Sequence, residues 1–473
     1  MPRLLTRSPL YLVVPLVCAV LGTWSALARG NGRFPEAQAI VSPPPGVTGG
    51  AARTLYLRAT FGVIVSRDGG TTWQWICEQT LGFDGTWDPP LVVGKDAELF
   101  IGLSDGIRTT TDGCVTTKIA GLDGELITDL TTDPTGAQIV ALTATPSKPS
   151  GVVWIDAKSR KVERHGAVAG VRLETVEVAP SNPTRIYLTG VPVGAGTRAH
   201  LYTAKRGGEL TELHPKLEAD AQLLIAGIDP KNEKRFLIRA LNAAGSDVLV
   251  TSDGGKTFKS VLHLASSMFG FAKSDDGSTY WAGAGDPNDG VWRSIDRGET
   301  WQPMAKVRVY CLHARGPDLF ACSTPYRPDG FAVAVSHDGG KSFARLTGFD
   351  DIQGPVACAA DAGSVCGARW PDVRATLVPQ KPAAEAADAA ADASDASKAS
   401  DAGDGKAQGT ARACGCKVVG AEDSALPAPR WSFAGPVFLA LVLAGRRRRW
   451  IAREPGPSRW RTAPTNVHPP RRG

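Results

Sequence analysis

One eight-residue turn recurs along this chain and constrains its fold more than any other feature. The first copy runs from Ser66 to Trp73 and reads Ser-Arg-Asp-Gly-Gly-Thr-Thr-Trp. Three further copies begin at Thr251, Ser294 and Ser336, each with an aspartate in third place and a closing aromatic residue. The positions that the copies share are Ser66, Asp68, Gly70 and Trp73; Thr251, Asp253, Gly255 and Phe258; Ser294, Asp296, Gly298 and Trp301; and Ser336, Asp338, Gly340 and Phe343. Repetition of one pattern predicts an array of equivalent structural units.

The spacing of the turn gives the size and number of these units. Weaker copies place Asp112 and Asp156 in the aspartate position, and Lys205 occupies it in another. Successive positions are then 42 to 49 residues apart, which is the length of a four-stranded β-propeller blade. Short β-rich runs bounded by Pro, Asn, Asp and Gly support antiparallel meanders. The sequence therefore predicts an all-β fold, a seven-bladed propeller of four-stranded antiparallel blades over residues 33–375.

The chemistry of the turn favours a structural role for its aspartates. A carboxylate in this position can accept hydrogen bonds from the backbone N–H groups of its own turn. The glycines permit positive φ, and the closing Trp or Phe enters the outer strand of the blade. We expect the turn to join the third and fourth strands of each blade, with no catalytic function.

The repeated turn resembles the Asp-box, or bacterial neuraminidase, repeat of sialidases, sortilin-type receptors and photosystem II assembly-factor propellers. In that family the boxes are structural and lie at the blade periphery. The resemblance implies that a ligand binds elsewhere, over the central face formed by loops of the inner strands.

The N-terminus predicts export. Arg3 and Arg7 precede an apolar run, and small residues follow at 26–28. These features are typical of a signal peptide, an N-terminal signal helix over residues 1–28 with cleavage after Ala28.

The C-terminal region predicts a linker followed by an anchor. Residues 376–413 are rich in Ala, Asp and Ser and predict a disordered linker. Residues 414–449 contain Cys414 and Cys416, a short hydrophobic helix and an arginine cluster. This order resembles the MYXO-CTERM sorting tail of myxobacterial surface proteins, which implies processing and anchoring at the cell envelope. A single ordinary membrane anchor is the alternative, and residues 450–473 are predicted to be a disordered basic tail.

The charge distribution argues against nucleic acid as a partner. The formal net charge is +6, but the two ends carry a local net charge of +10 (Arg3 and Arg7, and nine arginines with one glutamate from Arg446 on), which leaves about −4 for the rest. No motif predicts a cofactor or metal ion. Six cysteines of the propeller suit an oxidising compartment, and of 15 possible pairings we favour Cys311 with Cys322, Cys358 with Cys366, and Cys77 with Cys114.

The sequence leaves two classes of function open. Sialidases require three arginines, a tyrosine nucleophile with a glutamate partner, and an acid/base aspartate. Arg33-Phe34-Pro35 resembles their Arg-Ile-Pro motif, so Arg33 is the one candidate catalytic residue; Tyr310 and Tyr326 lack a recognisable partner. We predict a non-enzymatic, cell-surface-tethered scaffold that binds a protein or glycan, with no catalytic residues. An exo-sialidase-like glycoside hydrolase is the alternative, and the oligomeric state stays open.

Overall fold

The computed structural model describes residues 33–83, 88–194, 199–215, 217, 221–327 and 330–377. Several predictions lie outside these ranges. They are the signal peptide with Ala28, the linker beyond residue 377, the sorting tail with Cys414 and Cys416, and the basic tail.

Seven four-stranded antiparallel sheets form the fold, and in each the strands follow one another in chain order. The first strands of neighbouring blades contact one another, so they surround a central channel. The predicted seven-bladed propeller is confirmed, and the repeated turn joins the third and fourth strands as expected.

The blades follow the chain without interleaving. Blades 1 to 3 contain β1 (Ala37–Val41), β2 (Leu55–Ala59), β3 (Gly62–Ser66) and β4 (Gln74–Ile76); β5 (Leu91–Val93), β6 (Leu99–Leu103), β7 (Gly106–Thr110) and β8 (Thr117–Lys118); β9 (Ile127–Thr132), β10 (Gln138–Thr143), β11 (Ser150–Asp156) and β12 (Val162–Val168). Blades 4 and 5 contain β13 (Val171–Val178), β14 (Arg185–Pro192), β15 (His200–Lys205) and β16 (Thr211–Leu213); β17 (Gln222–Ile228), β18 (Phe236–Asn242), β19 (Gly245–Thr251) and β20 (Lys259–Leu264). Blades 6 and 7 contain β21 (Met268–Lys273), β22 (Tyr280–Ala284), β23 (Val291–Ser294) and β24 (Gln302–Ala305); β25 (Cys311–Arg315), β26 (Asp318–Cys322), β27 (Val333–Ser336) and β28 (Ala344–Thr347).

Helices are few in the described ranges. A short helix α1 (Glu78–Leu81) follows blade 1, and α2 (Ala360–Leu377) follows blade 7; a single 3-10 turn covers Ala51–Arg53. None of the described helices is both long enough and apolar enough to cross a bilayer.

The hydrophobic core lies between the blades. Each of seven clusters of buried side chains combines residues of two neighbouring blades. Between blades 3 and 4, for example, Trp154 packs in the same cluster as Leu173 and Leu188. The strands are buried on both faces by neighbouring sheets, which explains their nearly continuous apolar runs.

A C-terminal segment closes the ring. All four strands of blade 1 come from the N-terminal side of the chain, so blade 7 donates no strand to it. Residues 353–356 instead run beside β4, where Trp75 N donates to Gly354 O (2.8 Å) and Val356 N donates to Trp75 O (3.0 Å). The segment then continues into α2, and Trp370 of α2 packs on Trp75 with ring centroids 5.5 Å apart.

Two of the three favoured disulfide pairings are wrong. Cys311 pairs with Cys322, as predicted, but Cys77 pairs with Cys366 and Cys114 pairs with Cys358. The prediction paired near neighbours in sequence, whereas the closing segment brings Cys358 and Cys366 back to the start of the ring. These two long-range disulfides and residues 353–377 together form what we call the clasp.

Candidate functional site at the channel mouth

In each repeated turn, the aspartate carboxylate accepts hydrogen bonds from the backbone of the same turn. Asp68 Oδ1 accepts hydrogen bonds from the backbone N–H groups of Thr71 (3.0 Å) and Thr72 (2.9 Å), and from Ser66 Oγ (2.8 Å). Partial burial acts to raise the pKa of Asp68, but these bonds and one from Thr72 Oγ1 outweigh it and lower the pKa to about 2. The carboxylate is therefore fully engaged in holding the turn.

The other good copies repeat this arrangement. Asp253, Asp296 and Asp338 each accept two backbone N–H bonds and two hydroxyl bonds within the turn. In the weaker copy, Asp112 Oδ1 accepts from Cys114 N (2.7 Å) and Val115 N (3.2 Å). Among the closing aromatic residues Trp73 is buried, and Phe258, Trp301 and Phe343 are half-buried. This geometry supports a structural role for every one of these positions.

Gly70 shows why the turn needs glycine. Its φ is +100°, a left-handed conformation that residues with a side chain rarely adopt. A Cβ there would also stand 3.1 Å from Leu346 Cδ1 in the neighbouring blade.

The repeated turns and one large cavity lie at opposite ends of the channel. In a meander the connections from first to second and from third to fourth strand lie at one end of the blade. The remaining connections lie at the other end. The repeated turns belong to the first group. A cavity of roughly 830 Å³ at the other end is lined by strand-to-strand and blade-to-blade connections of the second group.

Three arginines from different blades line this cavity, which we call the arginine mouth. Arg58 lies on β2, Arg239 lies on β18, and Arg308 immediately precedes blade 7. Glu36 and Asp286 are the carboxylates of its lining. Arginines therefore outnumber acids there, and the mouth favours an anionic ligand.

Each guanidinium is held in place by main-chain carbonyls. Arg58 Nη1 donates to Pro89 O (3.0 Å), Arg239 Nη1 donates to Phe269 O (3.0 Å), and Arg308 Nη1 donates to Gly285 O (2.8 Å). Carbonyl bonds orient the cations without neutralising them. Nε of Arg58 and of Arg239 is buried and has no hydrogen-bond partner within the residues the structure describes.

Loss of hydration destabilises the charged forms of Arg58 and Arg239. Desolvation lowers the pKa of Arg239 to about 10, and it also lowers the pKa of Arg58. A pKa of about 10 leaves Arg239 charged at neutral pH. A desolvated cation gains more from a bound anion than a fully hydrated cation does.

Aromatic side chains stand beside the cations. Phe269 is 50% exposed and meets Tyr310 edge to face, with centroids 5.8 Å apart; both line the cavity. Phe34 is 58% exposed and meets Tyr326 in the same manner at 5.2 Å. Exposed aromatic residues next to arginines are typical of protein-binding surfaces.

Deeper in the channel, acidic side chains join neighbouring blades. Asp129 Oδ2 accepts from Val176 N (2.8 Å), and Glu177 Oε2 accepts from Thr131 Oγ1 (3.3 Å). Burial raises the pKa of Asp129 to about 7 and also raises that of Glu177. At neutral pH Asp129 is therefore only partly charged, which limits its opposition to an anion at the arginine mouth.

Arg33, the one candidate catalytic residue from the sequence, forms an ion pair with an aspartate of the propeller. Its guanidinium forms a bidentate pair with Asp88 (2.6 and 2.8 Å), and Asp88 also accepts from Gln38 Nε2 (2.9 Å). The hydrogen bonds that Arg33 donates to Asp88 raise the pKa of Arg33. The pair ties the segment before β1 to the connection between blades 1 and 2, and Arg33 is not among the residues that line the cavity.

A second cavity of roughly 700 Å³ opens at the end of the channel that carries the turns. In its wall Ser42 Oγ and His313 Nε2 lie 2.8 Å apart, joining blade 1 to blade 7. Burial lowers the pKa of His313 to about 4, so the imidazole is neutral at physiological pH. In the described part of the chain no group of three or more His, Cys, Asp or Glu side chains is arranged to bind a metal ion.

Tyr310 of this cavity was named from the sequence, but none of its three arginines was. Arg58 and Arg239 sit in strands whose local pattern resembles that of every other blade. Their convergence depends on the closed ring, and no local motif records it.

The chain matches no family model and no curated protein. Among solved structures it is similar to the GH74 enzyme of Niastella koreensis, with 14% identity over 68% of this chain and 66% of that one and a TM-score of 0.39. It is similar to YCF48 bound to D1 peptide, with 15% identity over 62% of this chain and 91% of YCF48 and a TM-score of 0.42. It is also similar to PorZ, a surface component of the type-IX secretion system of Porphyromonas gingivalis. The identity is 14% over 69% of this chain and 39% of PorZ, and the TM-score is 0.43. Likenesses at this level carry no functional information.

Proposed function

We propose that this protein is an exported, surface-tethered and non-enzymatic propeller that binds an acidic segment of a partner protein at the arginine mouth. The observation that carries the proposal is the convergence of Arg58, Arg239 and Arg308 on one cavity. Asp-box turns then serve only to hold the blades, which agrees with their fully engaged aspartates.

The chemistry of the mouth favours an acidic peptide over a neutral glycan. Guanidinium groups form paired hydrogen bonds with carboxylates, and three arginines line this one cavity. The neighbouring Phe269 and Tyr310 add apolar contact area for side chains between the acids. A neutral sugar supplies no anion for the cluster.

A binding experiment on the full-length chain tests the proposal. Fluorescence anisotropy compares a glutamate-rich decapeptide with a lysine-rich one of equal length. We expect only the acidic peptide to bind, with weaker binding at high salt and loss of roughly tenfold in affinity or more on Arg239→Gln. The matched control is Arg345→Gln on the outer strand of blade 7, where Arg345 pairs with Asp350 and Asp351. Binding of neutral glycans, or equal binding of both peptides, would contradict the proposal.

A sialidase-like hydrolase is the second candidate, and one observation favours it. Tyr310 and Glu36 line the same cavity as the three arginines, which the sequence did not suggest. Burial raises the pKa of Glu36, which makes its carboxylate a stronger base. Turnover of a fluorogenic sialoside that is lost on Tyr310→Phe, and kept on Tyr326→Phe, would replace the scaffold proposal with this one.

Export and sorting complete the proposal and rest on the sequence of the two ends. The apolar run after Arg3 and Arg7 supports cleavage after Ala28, and the order within residues 414–449 supports sorting to the cell envelope. Deletion of residues 414–449 should abolish display at the cell surface. Identical distribution of the intact and deleted chains would remove the sorting function of this tail.

A further inference from the structure

A β-bulge directs the side chain of Phe269 into the arginine mouth. The register of β21 against β22 passes from Met268 directly to Gly270, so Phe269 is the extra residue of the bulge. Bulges of this kind re-aim a side chain and are frequent beside active sites. The Phe269 ring lines the cavity and is 50% exposed. A large apolar ring is thus exposed to solvent in the cavity that the three arginines line.

Two of these arginines are held by the backbone around the ring. Arg239 Nη1 donates to Phe269 O (3.0 Å) and to Met268 O (3.2 Å). Arg308 Nη1 donates to Gly285 O (2.8 Å). The Phe269 ring lies against Gly285, because a Cβ added there would stand 2.6 Å from Phe269 Cε2. The ring therefore lies between the carbonyls that hold two of the three cations.

Apolar side chains extend this surface on both sides of the ring. In blade 5, Leu241 lies two residues beyond Arg239 on β18, and Leu224 is the register partner of Arg239 on β17. Both leucines therefore share one face of the sheet with Arg239. Towards blade 7, Tyr310 meets the Phe269 ring edge to face, with centroids 5.8 Å apart. We call these four partly exposed lining residues, Leu224, Leu241, Phe269 and Tyr310, the apolar strip.

The apolar strip and the cations favour a ligand that carries both kinds of group. A segment of acidic residues alone would leave the strip in contact with water, and an apolar segment alone would bring no anion to the guanidinium groups. Aromatic residues and arginine are enriched together where protein partners bind. The charge of the cavity therefore selects acidic residues, and the apolar strip selects a large apolar side chain among them.

We propose that the partner segment carries a large apolar side chain, of the size of phenylalanine or leucine, between its acidic residues, and that Phe269 receives this side chain. This inference rests on the proposed function, because it names the class of segment that the arginine mouth binds. The acidic residues bind the arginines, and the apolar side chain displaces water from the apolar strip. Phe269 is then the residue that determines specificity, whereas Arg239 supplies the charge.

Two peptides of equal length and charge test the proposal on the full-length chain. One contains nine glutamates and a central phenylalanine, and the other has glutamine in the central position. Fluorescence anisotropy should show about tenfold tighter binding of the phenylalanine peptide, because burial of one large apolar side chain contributes at least this factor. Phe269→Ala should lower the ratio of the two affinities to about twofold or less and leave binding of the glutamine peptide unchanged.

Phe34→Ala is the matched control. Phe34 is 58% exposed and meets Tyr326 edge to face at 5.2 Å, as Phe269 meets Tyr310, but it is not among the residues that line the cavity. The tenfold ratio should persist in this variant. Gly285→Ala is a second variant, which displaces the Phe269 ring without removing it, and it should also lower the ratio.

The outcomes separate this inference from the proposed function. Equal affinity for the two peptides that is lost on Arg239→Gln overturns the inference and leaves the proposed function in place. A ratio that persists in Phe269→Ala, or that falls equally in Phe34→Ala, also overturns it, because the apolar side chain then lies elsewhere. Phe269-dependent binding of tetragalacturonate that is tighter than that of either peptide overturns it in favour of an acidic glycan. Absence of Arg239-dependent binding by both peptides overturns the inference and the proposed function together.

A photochemical cross-link supplies a second readout. The central phenylalanine of the peptide is replaced by p-benzoylphenylalanine, and mass spectrometry locates the adduct on the irradiated full-length chain. We expect adducts at Phe269, Tyr310 or Leu241. Adducts at Phe34 or Tyr326 alone would contradict a binding place for the apolar side chain on the apolar strip.

Discussion

The two ends of the channel hold their charges in opposite ways. At the turn end, each aspartate lies near the surface and accepts several hydrogen bonds from its own eight residues. At the arginine mouth, half-buried arginines from blades far apart in the sequence line one cavity and donate to main-chain carbonyls. A carboxylate that is satisfied within its own turn stabilises the fold, whereas arginines that converge on a cavity favour an anionic ligand. The first arrangement is local, and the second exists only while the ring is closed.

The largest effect should come from opening the clasp. The Cys77–Cys366 disulfide spans 289 residues, against 11 for Cys311–Cys322. The Cys114–Cys358 disulfide stays in place in Cys77→Ser/Cys366→Ser, so the loop that this variant opens has about 45 residues. Chain entropy then predicts a loss of about 4 kcal/mol, against about 3 kcal/mol for Cys311→Ser/Cys322→Ser, measured by urea unfolding. Binding of acidic peptide should fall only with the first pair, because the mouth joins blades 1, 5 and 7. Equal losses in the two variants would contradict a ring held by the clasp.

Removal of the two buried cations should have the next largest effect, confined to binding. Arg58→Gln/Arg239→Gln should weaken acidic-peptide binding about 100-fold, since each charge-assisted interaction contributes about 1.5–3 kcal/mol. The free energy of unfolding should stay unchanged or rise, because the variant no longer buries two cations with unused donors. A large loss of stability with unchanged binding would show that these arginines are structural, like the turn aspartates.

A turn variant should give the reverse pattern. Asp68→Ala leaves the N–H groups of Thr71 and Thr72 without their acceptor, and comparable losses at helix N-caps cost about 1 kcal/mol. We expect a lower urea midpoint with unchanged peptide affinity. Loss of affinity would place the turn within the binding function and end the contrast between the two ends.

Local patterns were predictable from the sequence, and contacts that depend on ring closure were not. The turn from Ser66 to Trp73 specifies its own hydrogen bonds, so blade number and strand order followed from its spacing. The partner of Cys77 depends on a segment nearly 300 residues away, and near neighbours in sequence were the wrong guide. Arg33 was selected by a short motif, yet the structure engages it with Asp88. Arg58 and Arg239 carry no motif, and only the closed ring brings them together.

The smallest effect, a difference in pH dependence, separates the two ends most sharply. The pKa of Asp68 is lowered from 3.8 to about 2, so its stabilisation is present above pH 4 and disappears as the pH falls towards 2. The pKa of Asp129 is raised from 3.8 to about 7, so its contribution is present below pH 4 and is lost as the pH rises through 7. Urea unfolding of Asp68→Asn and Asp129→Asn against the unaltered chain, from pH 3 to pH 8, should therefore give differences that change in opposite directions. The free energy of unfolding of Asp129→Asn should rise relative to that of the unaltered chain between pH 4 and pH 7. Its neighbours Glu177 and Arg58 are the same in both chains. A pH-independent difference for Asp129→Asn would mean that channel water solvates this carboxylate as fully as bulk water solvates the unfolded chain, and the mouth would then face an acidic channel at neutral pH.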